Sequence, residues 1–234
     1  MQYNDLFIDL DDTIYDTRSN ATIALAEVFA NRHLDRYFPD ANVFYNAYWD
    51  TNLQLWTQYN KGEITRDVLI LERFRRPLSV GMGNDATEHF CLSMSDEFLE
   101  LCASKPGVLP GAREALDYLK DKGYRMHICS NGFREIQSRK MEAAGIAQYF
   151  DNLILSEDIG YNKPAKEYFD YALHKTGADV RTTLMIGDNY FADIEGAMTV
   201  GMDTMLYMRW DKDFVPPRPV TFLLHHWNDI KASL

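Results

Sequence analysis

Basic residues, cysteine and long apolar runs are all scarce in this chain of 234 residues, and each shortage excludes a class of protein. Lysine and arginine number 24 against 35 aspartates and glutamates, for a formal net charge of −11. Such a chain repels a nucleic-acid backbone, so no polymeric nucleic-acid partner is expected. Small anions stay open as ligands, because local cations or a bound metal reverse the field inside one pocket. Cys91, Cys102 and Cys129 are odd in number and lack CxxC spacing, which argues for reduced, buried thiols over a disulfide framework or a thiolate zinc site. The six histidines show no metal-ligand spacing, and the adjacent His225 and His226 are expected at the surface. No stretch approaches the ~20 apolar residues of a membrane helix, and aspartates stand where a secretory signal has a basic start and an apolar run. A cytoplasmic protein with no membrane partner is expected.

What is present is a change of pattern along the chain. Tyr3 to Asp9 reads as a short buried strand. From Arg18 to Lys105 apolar residues recur every three or four positions in ATIALAEVFANR, NVFYNAYWDTNLQLWTQYN, RDVLILERF and DATEHFCLSMSDEFLELCA, with Gly62 and Pro77 as punctuation. That spacing predicts an all-helical block. Beyond Pro106 helices alternate with strands: helix 112–122, strand 124–129, helix 134–144, strand 152–156, helix 166–176, strand 183–186, helix 193–200 and strand 203–208. The PPRP run at Pro216–Pro219 reads as a loop before a last short strand and helix. Alternation of this kind predicts a doubly wound α/β fold, a mostly parallel, Rossmann-like sheet covered on both faces. The expected division is a core of residues 1–16 and 106–234 interrupted by a helical domain at 17–105.

Ligands of open α/β sheets bind beyond the carboxyl ends of the strands. Four polar clusters fall there: Asp9-Leu10-Asp11-Asp12-Thr13, Ser130-Asn131-Gly132, Ser156-Glu157-Asp158 with Lys163-Pro164 beyond, and Gly187-Asp188-Asn189 with Asp193 beyond. Singly, each is ordinary cap or turn chemistry. Jointly and in this order, they predict one site at one edge of the sheet.

With DLDDT at 9–13, SNG at 130–132, KP at 163–164 and GDNYFAD at 187–193, the chain resembles the haloacid dehalogenase superfamily of phosphohydrolases over essentially its whole length. The helical block lies where that superfamily carries a helical cap. The second aspartate of the DxD pattern, Asp11, marks phosphoryl-transfer members and argues against dehalogenation. The resemblance implies Mg2+ as cofactor, Asp9 as the nucleophile that becomes an aspartyl-phosphate, and Asp11 as a metal ligand through its backbone carbonyl. A phosphate ester repels a carboxylate nucleophile, and a magnesium ion held by hard oxygen ligands such as Asp9 and Asp188 removes that repulsion. The strand's two-residue period aims Asp9 and Asp11 the same way, so Asp11 is expected to protonate the leaving oxygen and later deprotonate water. Asp12 and Thr13 are then structural. Ser130 and the amides of Asn131 and Gly132 suit phosphoryl oxygens, and Lys163 adds positive charge and pairs with the carboxylates. Asp193 is expected to reach the metal directly or through its water ligands, with capping of the next helix as the alternative.

The substrate is read from weaker signals. LWTQYNKGEIT, SNGF and LSEDIGYNKP resemble bacterial house-cleaning pyrimidine 5′-nucleotidases, which implies a nucleoside monophosphate and a specificity loop near 60–64. Trp56, Tyr59 and Phe133 are candidate faces for a base and Lys61 for phosphate or sugar, although Trp56 and Tyr59 stand at helical spacing, as core residues do. A sugar-phosphate phosphatase or phosphoglucomutase-type enzyme is the alternative, and a catalytically silent binding module is disfavoured because every charged motif position is kept. The oligomeric state is open.

Overall fold

The computed structural model describes residues 2–210 and 213–234. The chain folds as two compact units, Met1–Arg18 with Lys105–Leu234, and Ser19–Ser104.

Strand β1 (Asp5–Ile8) is short and wholly buried. After it come the helices α1 (Thr17–Asn31), α2 (Ala41–Asn60), α3 (Arg66–Met82) and α4 (Glu88–Ala103). Side chains close their exposed amino ends: Asp40 accepts from Asn42 N, Thr65 from Val68 N and Thr87 from Phe90 N, each satisfying an N–H that the helix itself leaves orphaned. Ala21, Ala24, Leu25 and Val28 of α1 form one stripe, which packs with Phe44, Tyr48, Phe74, Leu78 and Phe98 into the core of the helical unit. Pro77 does not end its helix as expected. α3 runs on to Met82 with Pro77 buried inside it, so burial of this face outweighs the ~3 kcal/mol that an interior proline costs a helix.

The first unit continues with α5 (Ala112–Asp121), β2 (Arg125–Ser130), α6 (Arg134–Ala143), β3 (Asn152–Leu155), α7 (Ser156–Ile159), α8 (Lys166–Thr176) and β4 (Thr183–Gly187). A wider π-type turn at Tyr190–Glu195 leads into α9 (Gly196–Thr199), then come β5 (Asp203–Tyr207), β6 (Phe222–Leu224) and a 3-10 helix at Trp227–Ala232. Among the described residues six strands form one parallel sheet, in the order β3-β2-β1-β4-β5-β6. Alternate side chains divide between the two faces. Leu6, Ile8, Met126, Ile128, Leu184 and Ile186 meet α5 and Trp227 on one face, and Phe7, Cys129, Ile154 and Met185 meet Tyr168 and Phe169 of α8 on the other. Burial on both faces is why these strands read as apolar runs. β1 sits between β2 and β4, at the centre of the sheet, and its carboxyl end is where the order of connection reverses, the place where such folds bind ligands.

Three departures from the sequence expectations concern the edge that carries the polar clusters. β1 ends at Ile8, before Asp9. The segment 156–158, expected as a strand end, starts the single-turn helix α7. The helix expected from Asp193 is wound as the π-type turn that begins at Tyr190, a geometry found most often where a helix must present a functional group. The three cysteines are buried thiols outside any disulfide, and among the described residues no helix is long and apolar enough to cross a membrane.

Candidate active site

Beyond β1 the chain leaves the sheet at Asp9 and folds back, with Ile14 N and Tyr15 N both donating to the Leu10 carbonyl. Asp12 adopts φ 59° in this turn, a left-handed conformation that aspartate tolerates better than most residues. The neighbouring strands bring their ends to the same place. β2 ends in Ser130, and β4 in Gly187 followed by Asp188.

The centre of the site is a cluster of carboxylates around one ammonium. Asp9, Asp188 and Asp193 each offer an oxygen, and these three atoms lie within 4.8 Å of one another. Lys163 Nζ donates to Asp9 Oδ1 at 2.7 Å, to Asp193 Oδ1 at 2.6 Å and to the Cys129 carbonyl at 2.6 Å. The lysine is placed through its backbone: Lys163 N donates to Asn131 Oδ1 and the Lys163 carbonyl accepts from Asn131 Nδ2. Asp193 Oδ2 accepts from Asn189 N, and a Cβ on Gly187 would sit 2.3 Å from that oxygen, so only glycine lets the carboxylate come this close. Capping of the π-type turn falls to Asn189, whose Oδ1 accepts from Phe191 N and Ala192 N, and Asp193 is left for the cluster.

The electrostatics of the cluster are unbalanced. Burial, reinforced by Asp193 and Asp11 and opposed by Lys163, pushes the Asp9 carboxyl up to about 7. Burial and the nearby Asp9 push Asp188 well above the usual carboxylate range. Burial works to lower Lys163, but Asp193 and Asp9 outweigh it and hold the ammonium charged. Among the described residues Asp188 has no basic partner; its Oδ1 accepts only from the Thr13 hydroxyl. Three hard carboxylates, of which only Asp9 and Asp193 meet the one lysine, are a donor set suited to a small divalent ion.

Asp11 lies in a second network, not beside Asp9 in a continuing strand. Its Oδ1 accepts from Lys140 Nζ and Thr17 Oγ1, both at 2.6 Å, and its Oδ2 from Gln137 Nε2 at 2.6 Å. Burial would raise its pKa, but Lys140 and these hydrogen bonds outweigh that and lower it. Gln137 Nε2 also donates to Ser130 Oγ at 2.7 Å. Gln137 and Lys140 were not anticipated; their signal was faint, two polar residues three apart on the helix that follows SNG, both turned to the buried side. The amide of Gly132, expected to face a phosphoryl group, donates instead to Ser130 Oγ at 3.0 Å, because a serine side chain readily closes on the N–H two residues ahead.

The remaining expected residues are more dispersed. Asp12 turns away to Arg209 Nη1 and Arg18 N. Thr13 is fully buried, and its hydroxyl lies between Asp9 and Asp188, 3.2 Å from an oxygen of each. Phe133 is buried at the position before α6. Trp56, Tyr59 and Lys61 belong to the helical unit: the two rings are half-buried and meet edge to face at 5.6 Å, and Lys61 is exposed at the end of α2. Glu157 accepts from Arg134 N, and Asp158 pairs with Arg134 and Lys175 at the surface. His127 is buried against Asp5 and Asn152, and His225 and His226 are exposed.

The chain is 30% identical over 204 residues to the Bacillus subtilis protein YfnB, covering 87% of this chain and 83% of that protein. A crystal structure of YfnB bound to magnesium superposes with a TM-score of 0.88 at 26% identity, over 100% of this chain and 99% of that one. Pyrimidine 5′-nucleotidase YjjG of Escherichia coli is 33% identical over 213 residues, 87% of this chain and 85% of that enzyme. A glyceraldehyde 3-phosphate phosphatase of Methanothermobacter thermautotrophicus is 28% identical over 204 residues, 86% of this chain and 84% of that enzyme. Residues 6–201 match the haloacid dehalogenase-like hydrolases, and the protein belongs to that family.

Proposed function

We propose that this hydrolase is a Mg2+-dependent phosphomonoesterase that works through an aspartyl-phosphate on Asp9, with nucleoside monophosphates, pyrimidine ones first, as substrates. The observation that carries the chemistry is the cluster in which Lys163 bridges Asp9 and Asp193 while Asp188, in the same cluster, has no basic partner among the described residues. Asp9, Asp188, Asp193 and the Asp11 carbonyl are the proposed holders of the metal, which when bound supplies positive charge to the transferring phosphoryl group. Asp9 Oδ2 is the attacking atom, because Oδ1 is held by Lys163, and Thr13 orients it from 3.2 Å. Ser130 donates to a phosphoryl oxygen. Asp11 accepts the proton of the attacking water in the second half-reaction, which suits a carboxylate kept ionised by three donors. In the first half-reaction Asp11 relays a proton from Lys140 Nζ, 2.6 Å away, to the leaving oxygen, and the proton that Asp11 later takes from water restores Lys140.

We assign unit Ser19–Ser104 as the cap that selects the leaving group, with Trp56, Tyr59 and Lys61 as its candidate contacts. The likeness to YjjG favours a nucleotide and the likeness to a glyceraldehyde 3-phosphate phosphatase favours a sugar phosphate. Phosphate release from a panel of both, with magnesium and with chelator, tests the proposal. Magnesium-dependent turnover of UMP or dTMP above hexose and triose phosphates is expected. The reverse order would replace the nucleotidase assignment, and silence on every ester would end the phosphatase one.

A further inference from the structure

We infer that Gln137 is a positioning residue that fixes the Ser130 hydroxyl as a donor toward the transferring phosphoryl group, a role that rests on the phosphomonoesterase reading above. Gln137 is fully buried on α6, and its Nε2 lies 2.6 Å from Asp11 Oδ2 and 2.7 Å from Ser130 Oγ. An ionised carboxylate only accepts, so the contact with Asp11 dictates which way the amide faces. The opposite orientation would press Oε1 against the carboxylate at the same 2.6 Å. Among the described residues Gln137 Oε1 is buried without a hydrogen-bond partner, so the amide is held by its nitrogen alone.

The consequence falls on Ser130. One amide hydrogen goes to Asp11 and the other to Ser130 Oγ, which also accepts from Gly132 N at 3.0 Å. A hydroxyl has two lone pairs and one hydrogen. With both lone pairs occupied, the hydrogen has one direction left, and among the described residues it meets no acceptor there. A buried donor so placed is preorganised for an incoming oxyanion and needs no rearrangement to meet it. The glycine of the SNG motif belongs to the same device: a Cβ on Gly132 would lie 2.3 Å from Gln137 Nε2, so any larger residue would displace the amide.

The test is calorimetric binding of inorganic phosphate to the magnesium-loaded protein, in a cycle of Gln137→Met, Ser130→Ala and the double variant, with thermal melting as a check on folding. Met fills the same volume without a donor. Gln137→Met is expected to weaken phosphate about tenfold, the effect of losing one buried donor, and to add less than about twofold once Ser130 is already alanine. Should Gln137→Met fail to fold, Gln137→Leu, which also carries no donor and adds no charge beside Asp11, takes its place with the same expected loss. Unchanged affinity in a folded variant, or an equal loss with and without Ser130, would overturn the assignment. If the unaltered protein neither binds phosphate nor releases it from any ester, the phosphatase reading itself fails and takes this one with it.

Discussion

Asp9→Asn keeps the shape of the proposed nucleophile and removes its reactivity. Turnover is expected to fall below detection while the melting temperature holds or rises, because one of three crowded carboxylates has lost its charge; an active variant would exclude Asp9 as nucleophile. Lys163→Met has the opposite profile. It leaves Asp9, Asp188 and Asp193 buried together without the ammonium that bridges two of them, and loss of one partner from a buried ion pair costs about 3–5 kcal/mol. Denaturant unfolding with and without magnesium checks this, and magnesium is expected to restore part of the loss. Asp9 and Asp188 were legible in the sequence because each follows directly on an apolar strand, and Lys163 and Asp193 because they belong to motifs a few residues beyond one. Gln137 and Lys140 were not, because nothing in a helical spacing says that its polar side faces the interior.

At the scale of elements, the site depends on how β4 hands over to the turn that follows it. Gly187→Ala is expected to cost activity at least about a hundredfold, because the new methyl group occupies the place of Asp193 Oδ2 and the displaced carboxylate unseats Lys163. Activity close to normal would mean that Asp193 is dispensable where it stands. The carboxyl end of β1 carries a related lesson. A strand period extended to Asp11 aims it beside Asp9, but the ladder stops at Ile8 and the chain folds back on the Leu10 carbonyl, so the contacts of Asp11 are set by α6. Pro77 misled in the other direction, since a local rule about proline yields where the whole helix face is buried.

For the whole molecule, the raised carboxyls make stability depend on pH and on metal together. A carboxyl whose pKa is higher in the folded state keeps its proton longer there, so it favours the fold at low pH and loses that advantage as pH rises. For Asp9 the window runs from the ordinary 3.8 to about 7; Asp188 shifts the same way, and Lys163 stays charged throughout. Chelator-treated protein is therefore expected to become less stable as pH rises through that window, and magnesium to cancel the fall; melting curves across pH with each form would show it, and Asp9→Asn should flatten the metal-free slope. The order of apolar strands and the polar residues after them determined the parallel sheet, the edge that holds the site and the first carboxylates in it, because strand burial and strand-end chemistry are local and periodic. The tertiary structure alone decided that Thr13 stands between Asp9 and Asp188 and that Gln137 joins Ser130 to Asp11. Those contacts link residues from different strands and helices, and their distances follow from packing in three dimensions, which no spacing along the chain encodes.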